Sequence, residues 1–247
     1  MKGEELREYL DFKAEQYNTR AFIESDPIQL PHRFTKKEDI EIVSFLISTI
    51  AWGQRGTIIK NGEGLIDIME NNPHEFILNY TSRKLEFVHR TFNAIDLDFF
   101  FRSLRNIYEN GGLENSFSVH PEIEGIKGRI VHFRERFLET EHEKRSEKHI
   151  SNPMKGSAAK RINMFLRWMV RNDKQGVDFG IWKSIPASEL YIPLDVHTSR
   201  HARNLGLIQR KQDDWKALEE LMSQLRKFDP VDPAKYDFAL FGIGAFE

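Results

Sequence analysis

Asp195, His197 and His201 are the first side chains whose spacing suggests chemistry. His197 and His201 lie four residues apart, which on a helix places both imidazoles on one face. With Asp195 just before them, three ligands could hold zinc or a similar ion, and a metal-dependent hydrolase is one function the trio supports. The glutamate of an HExxH pattern is missing, however. An Asp that follows Pro193-Leu194 and precedes a helix also has a simpler use, as the N-cap that accepts from the first free backbone N–H groups. Capping is the preferred reading, and no metal site is assigned.

The 247 residues include no cysteine. Disulfides, thiol nucleophiles, cysteine zinc sites and iron–sulfur clusters are thereby excluded together. Acid–base chemistry and lysine or hydroxyl nucleophiles remain, and no cofactor is expected. No Gly-rich phosphate loop, dinucleotide fingerprint or serine nucleophile motif is present. The formal net charge of −2 does not mark a nucleic-acid binder, but its distribution is uneven. Between Lys127 and Lys174 basic residues outnumber acidic ones by about two to one, among them Arg134, Arg136, Lys155, Lys160, Arg161, Arg167 and Arg171. The cluster permits phosphate binding. Because Glu135, Glu139, Glu141, Glu143 and Glu147 are interleaved, it equally fits solvated helix faces.

No run approaches the roughly 18 apolar residues of a membrane-spanning helix. The opening Met1-Lys2-Gly3-Glu4-Glu5 lacks the apolar stretch of a secretory signal. A cytoplasmic location and no membrane partner are expected.

The elements that must position these residues read as helices almost throughout. Thr35-Lys36-Lys37-Glu38 has the form of a capping box, and Ile40, Val43, Leu46, Ile47 and Ile50 follow at helical spacing. That helix should end near Ala51, before Trp52-Gly53-Gln54. Further helices are expected over residues 57–69, across Leu97, Phe100, Phe101, Leu104, Ile107 and Tyr108, over 126–138, and through Ile162, Phe165, Leu166, Met169 and Val170. Asp195 should cap a helix ending at Gly206, and Asp213 the last long helix, 215–228. Only Leu190-Tyr191-Ile192 and residues 238–246 have the composition of extended chain. The fold class is therefore all-α, with a charged loop over 139–153 as the plainest break.

Two segments carry a resemblance. Leu46-Ile47-Ser48-Thr49-Ile50-Ala51-Trp52-Gly53-Gln54 is similar to the helix-to-Gln segment of endonuclease-III-type enzymes in the helix-hairpin-helix (HhH-GPD) DNA glycosylase superfamily. Gly156-Ser157-Ala158-Ala159-Lys160-Arg161-Ile162-Asn163, followed by Pro193-Leu194-Asp195-Val196-His197-Thr198-Ser199-Arg200, resembles that superfamily's hairpin, its lysine helix and its later aspartate stretch. Arg203-Asn204-Leu205-Gly206 stands where a family Arg-Leu-Gly-like ending would. The matches keep the family's order over residues 34–206. The whole sequence also resembles a bacterial domain-of-unknown-function family, in Pro193-Leu194-Asp195 and in the closing Lys235-Tyr236-Asp237-Phe238-Ala239-Leu240-Phe241-Gly242; that second likeness supplies no activity.

The first resemblance implies two helical lobes with a central cleft: residues 34–139 as one, 1–33 with 150–247 as the other, joined by the charged segment 140–149. It implies duplex DNA as partner and excision of a damaged or mismatched base. In such chemistry a carboxylate activates the nucleophile and supports the developing positive charge, and a neutral lysine attacks C1′ to form a Schiff base. Asp195 and Lys160 are the candidates. A lysine normally titrates near about 10.4 and needs burial or a cationic neighbour, such as Arg161 or Lys155, to serve. The target base must leave the stack while a wedge fills the gap; the resemblance points to Gln54, with Trp52 or Arg55 as substitutes. Lys155, Gly156, Ser157, Arg161 and Arg200 are the remaining candidate DNA contacts. The sequence departs from the family in three respects: Ala158 replaces the second hairpin glycine, the Lys160–Asp195 gap is about twice the usual one, and the cluster cysteines are missing. A module of the same fold that binds nucleic acid without cutting it therefore stands beside the enzyme, as do plainer readings of Asp195 as a cap, Lys160 as a surface lysine, Gln54 as a polar helix end and Trp52 as core.

Overall fold

The computed structural model describes residues 3–246. In chain order its helices are α1 (Glu4–Tyr17), α2 (Arg20–Ser25), α3 (Lys37–Ile50), α4 (Arg55–Ile68) and α5 (Pro73–Leu78). After the hairpin β1 (Val88–His89) and β2 (Phe92–Asn93) come α6 (Ala94–Glu109), α7 (Gly112–Ser116) and α8 (Gly125–Phe137). The last four are α9 (Lys160–Val170), α10 (Val196–Asn204), α11 (Trp215–Phe228) and α12 (Tyr236–Phe246). The two antiparallel strands, with His89 opposite Phe92, are the only strands among the described residues. No helix among them is long and apolar enough to cross a membrane. The chain divides into two compact units: one joins the chain up to Glu24 to the chain from Asn152 onward, the other is Ser25–Ser151.

In the Ser25–Ser151 unit, the apolar series of α3 is buried as its spacing requires, with Ile40, Val43, Leu46, Ile47 and Ile50 all in the core. Around it lies a phenylalanine cluster. Phe45 meets Phe133 edge-on at 5.4 Å, and Phe117 stacks on Phe133 at 4.2 Å; such pairs add about 1 kcal/mol each beyond their area. The expected capping box at Thr35 does not form. The helix starts at Lys37 with Lys36 in the N-cap position and no side-chain cap. Acidic Glu38 and Asp39 complement the helix dipole there instead, and Asp39 accepts the backbone N–H of His74.

The charged segment 140–149 contains a 3₁₀ helix, Lys144–His149, whose Ser146 and His149 are buried. Their anchor is Asp96. One Asp96 oxygen accepts from Ser146 Oγ at 2.6 Å and Arg145 at 2.9 Å, and the other from the backbone N–H of Asn93 at 3.0 Å. Asn93 in turn caps α6 in a reciprocal capping box. Two charges of this segment are thus engaged across the unit, Arg145 by Asp96 and Glu147 by Arg134 at 2.9 Å, while Glu141, Glu143, Lys144 and Lys148 stay exposed.

In the other unit, α12 packs against α1 and α10. Residues 238–246 are helical rather than extended. Phe238, Ala239 and Leu240 are all buried, and a helix covered on several sides is apolar on several sides, which erases the amphipathic period. Leu190-Tyr191-Ile192 forms no strand. The cap of α11 is Asp214, which accepts from Ala217 N at 3.1 Å, and not Asp213, whose carboxylate is taken by Arg203 at 2.6 Å.

Candidate active site

The turn that leads into α9 is built by a chain of local bonds. A 3₁₀ helix, Pro153–Lys155, is capped by the Asn152 side chain. Gly156 then takes φ +86°, and the chain re-enters helix at Ala159 with φ +48°. Positive φ therefore falls on Gly156 and Ala159, and Ala158 does not need the freedom of the glycine it replaces. Asn163 Nδ2 donates to the Ala158 carbonyl at 3.0 Å and locks the turn from below. Trp215 N donates to Gly156 O at 2.9 Å, tying the turn to the start of α11. The backbone N–H groups of Gly156 and Ser157 donate inward, to Pro153 O and Asn152 O. Neither is left to cradle a phosphate, so an anion at this turn would meet the exposed Lys155 and Ser157 side chains.

Lys160 is the first residue of α9, and Asp195 is the residue before α10. Lys160 Nζ lies 3.2 Å from Asp195 Oδ2, with the lysine side chain 37% exposed and the aspartate 17%. Asp195 Oδ1 accepts from the backbone N–H of His197 at 2.9 Å and of Thr198 at 2.8 Å. Burial pushes the Asp195 carboxyl up, but the Lys160 ammonium and the Thr198 N–H outweigh it and hold the group below the usual carboxylate range. The expected cap is present. The same carboxylate also sits beside Lys160, where the sequence points to a cationic neighbour such as Arg161 or Lys155. The pair combines an anionic group with a reachable amine, a combination suited to stabilising positive charge that develops beside a nucleophile.

Beneath it runs a buried charge network. Arg167 pairs with Asp237 and, at 3.2 Å, with Asp178. Arg171 pairs with Asp173, with Asp178 at 3.2 Å and with Asp232 at 3.0 Å. Burial raises the Asp237 carboxyl to about 6, Arg167 opposes the rise, and the charge of Asp195 adds to it. Asp237 is thus within electrostatic reach of Asp195. Arg167 and Arg171, counted in the sequence with the solvated basic cluster, are only 4% and 3% exposed. Their burial follows from α9's inward face, but the partners come from residues far along the chain, which no local pattern shows. Asp237 lies in a stretch whose sequence stood out without a role attached.

Of the other candidates, Arg200 is exposed on α10. Arg161, second in α9, is partly covered, and burial pulls its guanidinium down to about 10. His197 is exposed, and Asp195 faces Lys160 and backbone. Among the described residues no three His, Asp or Glu side chains are grouped as a metal site requires, so the Asp195, His197, His201 trio is not assembled. Trp52, Gln54 and Arg55 belong to the Ser25–Ser151 unit. Gln54 is exposed at the N-cap position of α4, which begins at Arg55 rather than at Thr57. Trp52 is partly buried, neither plain core nor open surface.

These features define an α-helical protein with a lysine–aspartate pair set at two helix starts. The chain matches the family described as "Protein of unknown function (DUF2400)" over residues 26–246, and it belongs to that family. No curated protein and no solved structure matches it.

Proposed function

We propose that the protein is a DNA glycosylase with an associated lyase step, acting on a damaged or mismatched base in duplex DNA on a fold related to the helix-hairpin-helix glycosylases. One observation carries the reading: Lys160 Nζ and Asp195 Oδ2 stand 3.2 Å apart, each at a helix start and neither fully buried. In the reaction Lys160, once deprotonated, attacks C1′ of the target nucleotide. The C1′–N bond breaks with its electron pair leaving on the base, which takes up a proton. Ring opening, with the C1′–O4′ pair left on O4′ and protonated there, gives a Schiff base between Lys160 and C1′. Loss of a C2′ proton to water then forms the C2′–C3′ double bond as the C3′–O bond breaks with its pair on the 3′ phosphate, which cuts the strand. Hydrolysis of the Schiff base frees Lys160. Asp195, held anionic, stabilises the positive charge on the sugar as the base departs. Lys155, Ser157 and Arg200, exposed in the same unit, are the DNA contacts that go with this chemistry.

A second reading has its own support. Lys160 engaged with a carboxylate must give up a proton before it can attack, and the Gly156–Ser157 backbone donors are used internally. Both features suit a module that grips nucleic acid without cutting it.

Borohydride trapping on labelled duplexes separates the two. The panel carries 8-oxoguanine, uracil, alkylated purines, oxidised pyrimidines or an abasic site. Trapping by wild type and its loss in Lys160→Gln are expected. Absence of both trapping and base release on every duplex would overturn the enzyme and leave the binding module.

A further inference from the structure

The hairpin β1–β2 carries a feature that the proposed chemistry does not use. Its two-residue turn places Arg90 at φ +56°, a position that glycine or asparagine ordinarily fills in so short a turn. Arg90 is exposed, and its guanidinium lies over the Trp52 ring, 5.2 Å from the centroid. No ion pair engages it among the described residues.

The stack rests on a buried, doubly hydrogen-bonded histidine. His89 is buried, and its two ring nitrogens bond Asn61 at 2.8 Å and the Trp52 carbonyl at 3.0 Å. Gly53 follows at φ +109°, and a Cβ there would come 3.0 Å from the Arg90 guanidinium. His149 also approaches Trp52 edge-on at 6.4 Å, and Arg145 donates to the Thr91 carbonyl at 3.1 Å. Arg145 is neutralised by Asp96; Arg90 has no such partner. The turn thus holds a costly backbone conformation to present an uncompensated planar cation, braced on an aromatic face, beside Gly53.

We propose that Arg90 is a phosphate contact to DNA, with Trp52 as its brace, so that the β1–β2 hairpin is part of the nucleic-acid surface of the Ser25–Ser151 unit. The inference rests on the proposed function for its partner. The chemistry fits: a guanidinium backed on one side by a ring keeps its edge donors free for a phosphate's oxygens, and loses little freedom on binding.

The test is equilibrium binding of the full chain to a labelled duplex carrying a tetrahydrofuran abasic analogue, measured across a salt series. No base is released from this probe, so binding is read apart from catalysis. Arg90→Gln is expected to bind about fivefold more weakly and to lower the slope of log affinity against log salt by about one. Arg90→Gly should lose the same affinity while its melting temperature holds or rises, because glycine relieves the turn. The exposed Lys216→Gln on α11 should match wild type in both. Wild-type affinity and slope in both Arg90 variants would overturn the proposal and leave the glycosylase reading standing. A weaker affinity with an unchanged slope would make Arg90 a prop for the loop and also overturn it. If wild type itself does not bind, the contact and the DNA-directed function fall together.

Discussion

The Asp195 carboxylate divides its two oxygens between two tasks: Oδ2 faces Lys160 at 3.2 Å, and Oδ1 caps α10 through His197 and Thr198. Asparagine caps a helix about as well as aspartate, whereas alanine forfeits about 1 kcal/mol. Asp195→Asn should therefore keep the cap and melt only slightly below wild type at neutral pH, short of the loss in Asp195→Ala. It should nonetheless lose base release by about a hundredfold or more, since the charge that supports the transition state is gone. Asp195→Ala should lose both. Thermal melts and single-turnover excision measure the two effects separately, and a fully active Asp195→Asn would reduce the residue to a cap.

Because the Asp195 carboxyl is held below its ordinary range, its contribution to stability is present above the unfolded carboxylate value, near about 4. It is lost as the pH falls through the lower folded value. The stability difference between wild type and Asp195→Asn should accordingly be flat from neutral pH down to about 4 and shrink below it. Denaturant melts at a series of acidic pH values check this.

Lys160→Arg keeps a cation opposite Asp195 but cannot form a Schiff base. Folding and DNA affinity should be retained while borohydride trapping disappears entirely. Residual trapping in this variant would place the nucleophile on another amine.

The helices were legible because their signals are local. The spacing of Ile40 to Ile50 and the Pro-Leu-Asp entry to α10 are each read within one or two turns, and Lys160 and Asp195 could be paired by a resemblance in motif order. What escaped is long-range. Nothing near Arg167 in sequence announces Asp237, 70 residues on, as its partner. Nothing at Trp52 announces the hairpin whose His89 bonds its carbonyl and whose Arg90 lies over its ring. Nor does the sequence show that Arg203 takes the carboxylate of Asp213, while Asp214 caps α11 and binds Arg210 with the same side chain.

The network under the pair gives a further test. Asp237, raised to about 6 by burial, binds its proton more tightly folded than unfolded. Its favourable contribution relative to Asp237→Asn is complete below the unfolded value and is lost as the pH rises through about 6. Stability curves of the two proteins should converge or cross over that interval. Arg167→Met should be harsher, by about 3–5 kcal/mol at neutral pH, because it strands the buried Asp237 carboxylate and removes one of two partners of Asp178.

Two glycines inside helices make the last prediction, because helix propensity treats them alike and packing does not. Propensity favours alanine over glycine by about 1 kcal/mol in a helix interior. At Gly64 in α4 a Cβ would meet nothing within 4 Å. At Gly128 in α8 it would lie 1.8 Å from the Ile123 carbonyl oxygen, a backbone atom that cannot rotate away. Gly64→Ala should then stabilise by up to about 1 kcal/mol, seen as a rise of a few degrees in melting temperature. Gly128→Ala should destabilise by about 3 kcal/mol or more, since α8 must move off residues 120–123 to admit the methyl group. Neither residue belongs to the candidate site, so purified folded protein from either variant should keep wild-type trapping by borohydride. If Gly128→Ala melted like wild type, the close approach of α8 to the Ile123 carbonyl would be wrong.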